Sequence, residues 1–547
     1  MTLPDGNLAQ TYTFRHALFR QVLYDRLGQA RRARLHRAIG DRLEEIYPPD
    51  RRSDLAVPLA QHFAAAGDWP RALRYLRSAL RVTSSRFAHR DTLAILDWAS
   101  ELVANLPYDL RSPAEIEFLE RRAAVHALAH DPEATETYAR LATRAAKLGD
   151  IDTQCRALIG LAYTASWHDL AHSLHFLDQV LVLCNKQSDP IRQDITRMTA
   201  YVRRLWQSGW NKTDARRCEE ALARLEASGD RLTIARAQAN FSMLCLVSTR
   251  YREVNDLVAS SHRLLIESPQ DCIEAELVRA GWMRNIGVPW SLFSLGEFGA
   301  ALKDLDASIA AFEKNSDPAA ASYLQVYRGA LSFHAMNFEG VLRDCGPIAA
   351  SPFEQDAGSV VLPVKRRIAL IFCGLAEAAL ANNVVALGHF HAAEGEMERQ
   401  PVHLDWYWRL PLEWGMINVL IAERNHPEAL ARAKHLCALV EQTDERAWQA
   451  FAWEARARAA LSCGEASEAV DNAANALTAC EGVTVPLAEW RVHATSAVVY
   501  QAANDTAQAR RHTHLGETVR KRLAESLPEG HPLRRQFERR SASLFAV

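Results

Sequence analysis

Residues His403 to Trp414 read H-L-D-W-Y-W-R-L-P-L-E-W, the richest run of recognition-type side chains in the chain. Trp406, Tyr407, Trp408 and Trp414 offer flat apolar faces with polar edges, Arg409 a planar cation, and Asp405 and Glu413 carboxylates. Trp, Tyr and Arg dominate binding hot spots. A few convergent polar groups in an apolar pocket fix a ligand's orientation. A sparser group, Trp282, Arg284 and Trp290 with Phe293, precedes it in the chain. These side chains are the candidate ligand- or partner-binding residues. The competing expectation is that the rings simply pack between two turns of a helical stack.

Other chemistry-bearing spacings are weaker. His168-Asp169-Leu170-Ala171-His172, with His175, resembles a zinc-protease motif with Asp in place of Glu. Two histidines four apart on a helix can share a zinc ion. The shorter Asp would place a general base poorly, and His126/His130 repeat the spacing with no chemistry around them. An ordinary helix is the stronger reading. Gly209-Trp210-Asn211-Lys212-Thr213 is the nearest approach to a phosphate-binding loop. It lacks the second glycine and the upstream glycines that let backbone N–H groups cradle phosphate. A helix break followed by an N-cap is expected there. Pairs such as Glu219/Glu220 read as solvated helix faces. No nucleophile elbow, dinucleotide fingerprint or EF-hand loop occurs. No catalytic residue, metal ligand or cofactor is therefore expected, and the chain reads as a non-enzyme.

Composition bounds the rest. The 547 residues are 48% hydrophobic, ample for a core. The net charge of −2, from 64 basic and 66 acidic residues, argues against a dedicated nucleic-acid binder. None of the ten cysteines forms a C-x-x-C pair, so buried thiols in a reducing compartment are expected. The most apolar run, Ile368 to Ala376, is nine residues long, whereas a membrane span needs about 20. The expectation is a cytoplasmic protein without membrane contact.

The elements that must position these residues are helices. In Leu295 to Phe312, Gly296 breaks one helix, and small residues follow five and twelve positions later, Ala301 and Ser308. The spacing recurs at Gly67/Ala72/Ala79, Gly464/Ala469/Ala476 and Asn504/Ala509/Gly516. Gly and Asn tolerate the left-handed conformation that ends helices, and a small-residue face lets a neighbouring helix approach. A fixed period of this kind marks a repeat array. Gly464 to Asn504 spans 40 residues, and Gly296 to Gly464 spans 168, four units of 42. The register slips between Gly67 and Gly296. Gly149-Asp150 and Gly229-Asp230 form a second kind of punctuation. The pattern predicts an all-α, tetratricopeptide-like solenoid, a right-handed superhelix of about ten helix pairs with a concave groove. Irregular stretches are expected at Trp282 to Trp290, at Gly346 to Pro363, the longest loop candidate, and at Gln400 to Pro411, a loop-to-helix junction.

The start of the chain is different. Thr11 to Phe14 reads as a short strand, and Leu18/Val22/Leu23 and Leu35/Ile39/Leu43 mark two helical faces. Thr11 to Arg42 carries eight Arg against Asp25 and Asp41. The run Y-T-F-R-H-A-L-F-R-Q-V-L-Y, then R-R-A-R-L-H-R-A-I-G-D-R-L-E and L-A-Q-H-F-A-A-A-G-D-W-P-R-A-L-R-Y-L, resembles the join of winged helix and repeats in bacterial STAND-class signal-transduction ATPases. Those relatives are often fused to cyclase, kinase or DNA-binding output domains. L-A-E-S-L-P-E-G-H-P-L-R-R-Q-F, from Leu523 to Phe537, is similar to the end of their repeat region.

The resemblance implies a winged-helix-like piece over 1–50, a helical connector with the first repeat over 51–110, and a solenoid over 111–547. It also implies an ATPase module that is missing here or encoded separately. The expected function is a non-catalytic sensor and interaction scaffold, holding a protein partner or small-molecule effector in its groove and coupling it to signalling or transcriptional output. The alternatives are a free-standing adaptor with no ATPase partner, and a DNA-binding regulator acting through the basic N-terminal piece.

The repeat register makes a prediction. Ala301→Trp overpacks a helix interface and lowers stability by about 1–3 kcal/mol. A melting temperature equal to that of the parent chain would show the register to be wrong.

Overall fold

The computed structural model describes residues 17–85, 88–128, 131–267, 283–314, 318–351 and 363–542. Among them every regular element is helical and no strand occurs, so the fold is an all-α, tetratricopeptide-like helical-repeat solenoid. The expected strand at Thr11 to Phe14, Trp282 and most of the 346–363 loop lie outside the described residues. No described helix is long and apolar enough to cross a membrane. The nine described cysteines are free, seven of them buried.

The punctuation follows backbone chemistry. Gly67, Gly296, Gly464 and Asn504 all adopt φ between 63° and 82°, as their residue types predict. Of the small residues that follow, Ala72, Ala301, Ala469 and Ala476 are fully buried, while Ser308 is half-buried. Three further left-handed turns, at Met336, Ala381 and Arg424, carry side chains that give no sequence signal. With them, successive turns from Gly296 to Asn504 lie 40 to 45 residues apart. The four units inferred between Gly296 and Gly464 are thereby accounted for.

The Gly-Asp pairs work differently. Gly149 ends helix Glu133–Leu148 in the left-handed region, and Asp150 caps the next helix, accepting from the Thr153 amide at 3.0 Å. Gly229-Asp230 repeats this, with the Thr233 amide donating to Asp230 at 2.8 Å. One residue stops a helix and the next starts another. The register slip arises because three helices, His89–Val103, Tyr108–Leu128 and Glu133–Leu148, separate helix Trp69–Ser85 from helix Ile151–Ala165. An odd number of helices shifts the pairing by one.

The described residues form two compact units, one through Ala157 and one from Leu158 onward. The first has a core of Leu59, Phe63, Leu73, Leu76, Leu96 and Phe118. Its helix Gln29–Ile46 is tied to helix Trp69–Ser85 by Arg71, which donates to Asp41 at 2.7 Å and also pairs with Glu44. The second unit contains the aromatic residues singled out above.

In the second unit, glycines on two helices make room for a side chain packed between them. The buried Phe390 ring lies between Gly374 and Gly415. A Cβ on Gly415 would fall 2.4 Å from Phe390 Cζ and 2.8 Å from Leu375 Cδ2. Gly to Ala inside a helix ordinarily gains roughly 0.5–1 kcal/mol. Here overpacking wins, because a Cβ on Gly374 would also fall 2.6 Å from the same ring, leaving it little room to give. Gly415→Ala should therefore lose about 1–3 kcal/mol in denaturant unfolding, and a gain would contradict this packing.

Candidate functional site

Four sequence-predicted residues converge. Helix Asp405–Ala422 carries Tyr407, Trp408 and Trp414, and helix Val288–Ser294 carries Trp290. All four are nearly fully buried. Trp290 stacks on Trp408 with ring centroids 5.4 Å apart and meets the edge of Tyr407 at 5.2 Å. Trp414 joins through Phe333 at 6.2 Å and Phe451 at 5.6 Å. These rings pack between helices, the competing expectation from the sequence. Trp406 is half-buried and turns away, its Nε1–H donating to the Trp206 carbonyl at 3.2 Å. Arg409 is half-buried and sits 4.0 Å from Glu413. Arg284 is exposed beside His262. Trp406 touches the cluster only at its margin, meeting Tyr407 edge-on at 5.7 Å, and Arg409 and Arg284 stand over none of the clustered rings.

The segment that launches helix Asp405–Ala422 is fixed by a buried charge. The fully buried Arg367 donates to both Asp405 oxygens, at 2.7 and 2.6 Å, and to the Glu396 and Gln400 carbonyls. Asp405 also accepts from the Val402 amide at 2.8 Å. Burial raises the Asp405 carboxyl, against the opposing pull of Arg367. Nη1 serves both Asp405 oxygens and Nη2 serves the two carbonyls, so a buried ion pair reinforced by further hydrogen bonds holds the loop. Leu404, at φ 64°, is the strained residue this loop carries.

The fixed loop then reaches a distant part of the chain. The His403 amide donates to Ser166 O at 3.1 Å, and the Leu404 amide to Trp206 O at 2.9 Å. His403 meets Trp167 edge-on at 4.1 Å. Similar links recur along the unit. Thr249 and Tyr251 bind Glu445, Phe298 N–H donates to Ser526 Oγ at 3.2 Å, and Arg540 donates to Met336 O at 2.8 Å. The joined residues lie 194 to 237 apart in sequence, about five to six repeats of 40. Successive superhelical turns of this unit are therefore clasped together.

Glu445 is the most buried of these links. It is fully inaccessible and accepts from Thr249 N–H at 3.0 Å, Thr249 Oγ1 at 2.9 Å and Tyr251 Oη at 2.8 Å. Burial pushes its carboxyl up to about 7, while these donors pull the other way. The Tyr407 phenol, pushed well up by burial and then by the charge of Glu445, ties this link to the ring cluster.

At another edge of the cluster stands Arg491, on helix Pro486–Ala502. Its guanidinium lies 4.8 Å from the Trp490 ring centre and 5.5 Å from that of Trp414. It makes no hydrogen bond or ion pair among the described residues. The neighbouring carboxylate, Glu454, is engaged by Arg458 at 2.7 Å and Thr495 at 2.6 Å. Burial pushes Arg491 down to about 10, with Glu454 opposing the shift. His334, next to Phe333, is pushed down to about 3 by burial and then by Arg491. Sequence reasoning missed Arg491, His334, Glu445 and Arg367. The one signal was W-R within P-L-A-E-W-R-V-H-A, an Arg adjoining a Trp.

The remaining motifs are structural. Asp169 caps helix Leu170–Leu183, accepting from the His172 amide at 3.0 Å and meeting His172 Nδ1 at 2.8 Å. His168 lies before that helix, so the two histidines do not share a helical face. No metal-ligating cluster of His, Cys, Asp or Glu occurs among the described residues. Asn211 caps helix Lys212–Ala227 through the Thr213 and Asp214 amides, both at 3.0 Å.

No family model and no curated protein matches the chain. Solved structures do. A Rap protein complexed with the competence and sporulation factor aligns at 10% identity and a TM-score of 0.48, over 69% of this chain and 99% of its own. Yeast Tom70 aligns at 12% identity and a TM-score of 0.33, over 91% of this chain and 96% of its own.

The buried Glu445 predicts a pH dependence. Its carboxyl binds a proton more tightly when folded, about 7, than at the ordinary value of 4.5. The native state then holds more protons than the unfolded chain between those values, so stability falls as pH rises through the window. The fall attributable to this group is roughly 3 kcal/mol at about 1.4 kcal/mol per pH unit. Denaturant unfolding from pH 4.5 to 7 should show a steeper decline for the parent chain than for Glu445→Gln. Parallel profiles would contradict the assignment.

Proposed function

We propose that the chain is a non-catalytic sensor and interaction scaffold. In this reading the second unit receives a protein partner or small-molecule effector on its concave side, and binding changes how the clasped turns stack. The observation that carries it is the clasp itself. A few polar links, centred on Glu445 and Leu404, hold segments roughly 200 residues apart. Such a seam has two discrete states, made and broken, and a ligand shifts it by binding one state better. A uniformly packed core offers no comparable element.

The output in this proposal is a STAND-type ATPase module, as the resemblance around Thr11 to Leu76 and Leu523 to Phe537 implies. The first unit supports it. Val22, Leu23, Leu35 and Ile39 on helices Ala17–Asp25 and Gln29–Ile46 are 44 to 51% exposed. An apolar face of this kind is what a docked module would cover. The winged-helix-like role of residues 1–50 is that of a lever between the module and the repeats.

Two measurements test the reading. The purified chain with ATP and magnesium should release no phosphate above the blank; turnover by the pure protein would refute the non-catalytic assignment. Added to a separately expressed STAND-type ATPase module from the same genome, the chain should form a complex and change its hydrolysis rate several-fold. Absence of both effects would end the proposed coupling.

A further inference from the structure

The three helices that shift the repeat pairing do not close on one another. Helices His89–Val103 and Glu133–Leu148 each pack on helix Tyr108–Leu128. Between them lies an open cleft of about 790 Å³, lined entirely by residues of the first unit. Its floor is apolar, with Val103, Phe118 and Leu119. The apolar surface continues past one end. Arg144 donates to Glu115 at 2.6 Å and to Ser112 Oγ at 3.4 Å, so the last turn of helix Glu133–Leu148 sits beside the start of helix Tyr108–Leu128. Leu148 follows Arg144 by one turn, and Tyr108 precedes Glu115 by two turns on the same helix face. Leu148 is 51% exposed and Tyr108 88%.

The charges on the walls fall into two groups. Arg122 and Arg144 are engaged, by Asp97 at 2.7 Å and Glu115 at 2.6 Å. Glu133 lies 3.5 Å from His126. Glu136, Arg140 and Lys147 also line the cleft, all exposed, and make no ion pair or hydrogen bond among the described residues. They share one face of helix Glu133–Leu148, four and seven residues apart, about 6 and 10.5 Å along its axis. The order is negative, positive, positive. Another α-helix laid alongside presents side chains at the same two intervals. A strand repeats its facing side chains about every 7 Å, so it misses the longer one.

The direction follows from the helix dipole. Carboxylates are favoured near a helix N-terminus and cations near its C-terminus. A helix antiparallel to Glu133–Leu148 meets this condition, with its first acid facing Lys147, a second facing Arg140 and a cation facing Glu136.

We infer that the cleft of the first unit docks one amphipathic α-helix of a partner protein. That helix is apolar where it seats on Leu119 and Tyr108, and carries two carboxylates seven residues apart with a cation four residues after the second. The site is separate from the concave side of the second unit and from the Val22, Leu23, Leu35 and Ile39 face. It stands whether or not the second unit takes an effector.

The probe is a fluorescein-labelled synthetic peptide of about 18 residues, long enough to be helical when bound. Leucines line one face, with glutamates at the second and ninth positions and lysine at the thirteenth. A twin carries these three charges reversed. Fluorescence anisotropy with the full chain should show saturable binding of the acidic helix and at least about tenfold weaker binding of the twin. The triple variant Glu136→Lys, Arg140→Glu, Lys147→Glu should reverse that order. Tight binding of the twin by this variant shows in the same measurement that the cleft is intact. Tyr108→Ser should weaken both helices by a similar, smaller factor.

No saturable binding of the acidic helix up to submillimolar protein, equal binding of the two helices by the parent, or an order unchanged in the triple variant would overturn the inference. So would displacement of the bound helix by a single-stranded oligonucleotide at lower concentration than by unlabelled helix, which would make the two cations a phosphate site.

Discussion

The second unit depends on contacts between residues roughly 200 apart in sequence. A helical repeat contacts mainly its immediate neighbours, and its stability is close to a sum of local terms. A seam between successive turns changes that. Glu445 bound by Thr249 and Tyr251, the Leu404 amide on the Trp206 carbonyl, and Arg540 on the Met336 carbonyl each tie one turn to the next. Such links close long loops. Their entropic cost is met at several places at once, so they should form and break together.

The seam sets what can happen inside. Arg367 and Asp405 hold the loop that delivers Leu404 to the seam, and the helix starting there carries Tyr407, Trp408 and Trp414. The same helix thus serves the seam at its start and the ring cluster further along. Its rings pack Trp290 on one side and reach Arg491 on the other. Glu445 is an ionisable group drawn fully out of water. Three donors satisfy Glu445 from within the fold.

The repeat architecture was legible because helix ends need residues that accept a left-handed backbone. Gly67, Gly296, Gly464 and Asn504 announce themselves for that reason. Met336, Ala381 and Arg424 occupy equivalent turns with ordinary side chains, so the intervening units had to be inferred from distance alone. The odd helix near residue 100 was hidden because nothing in its composition distinguishes it from its neighbours. Of the site, the aromatic run at 403–414 was visible as composition, but its partners were not. Arg367, Glu445 and Arg491 acquire meaning only when residues tens to hundreds of positions away are brought beside them. His168 to His172 shows the converse, a spacing that looks chemical until Asp169 caps a helix.

The most direct test of the clasped turns is residue-resolved hydrogen exchange at three amides that lie outside helix interiors: Thr249, His403 and Leu404. Each donates to a residue in the neighbouring turn. If the seam is closed, these amides exchange as slowly as those in the flanking helices, because opening them requires the turns to separate. Exchange at the rate of an exposed loop, with the helices on either side protected, would show that the turns are not clasped.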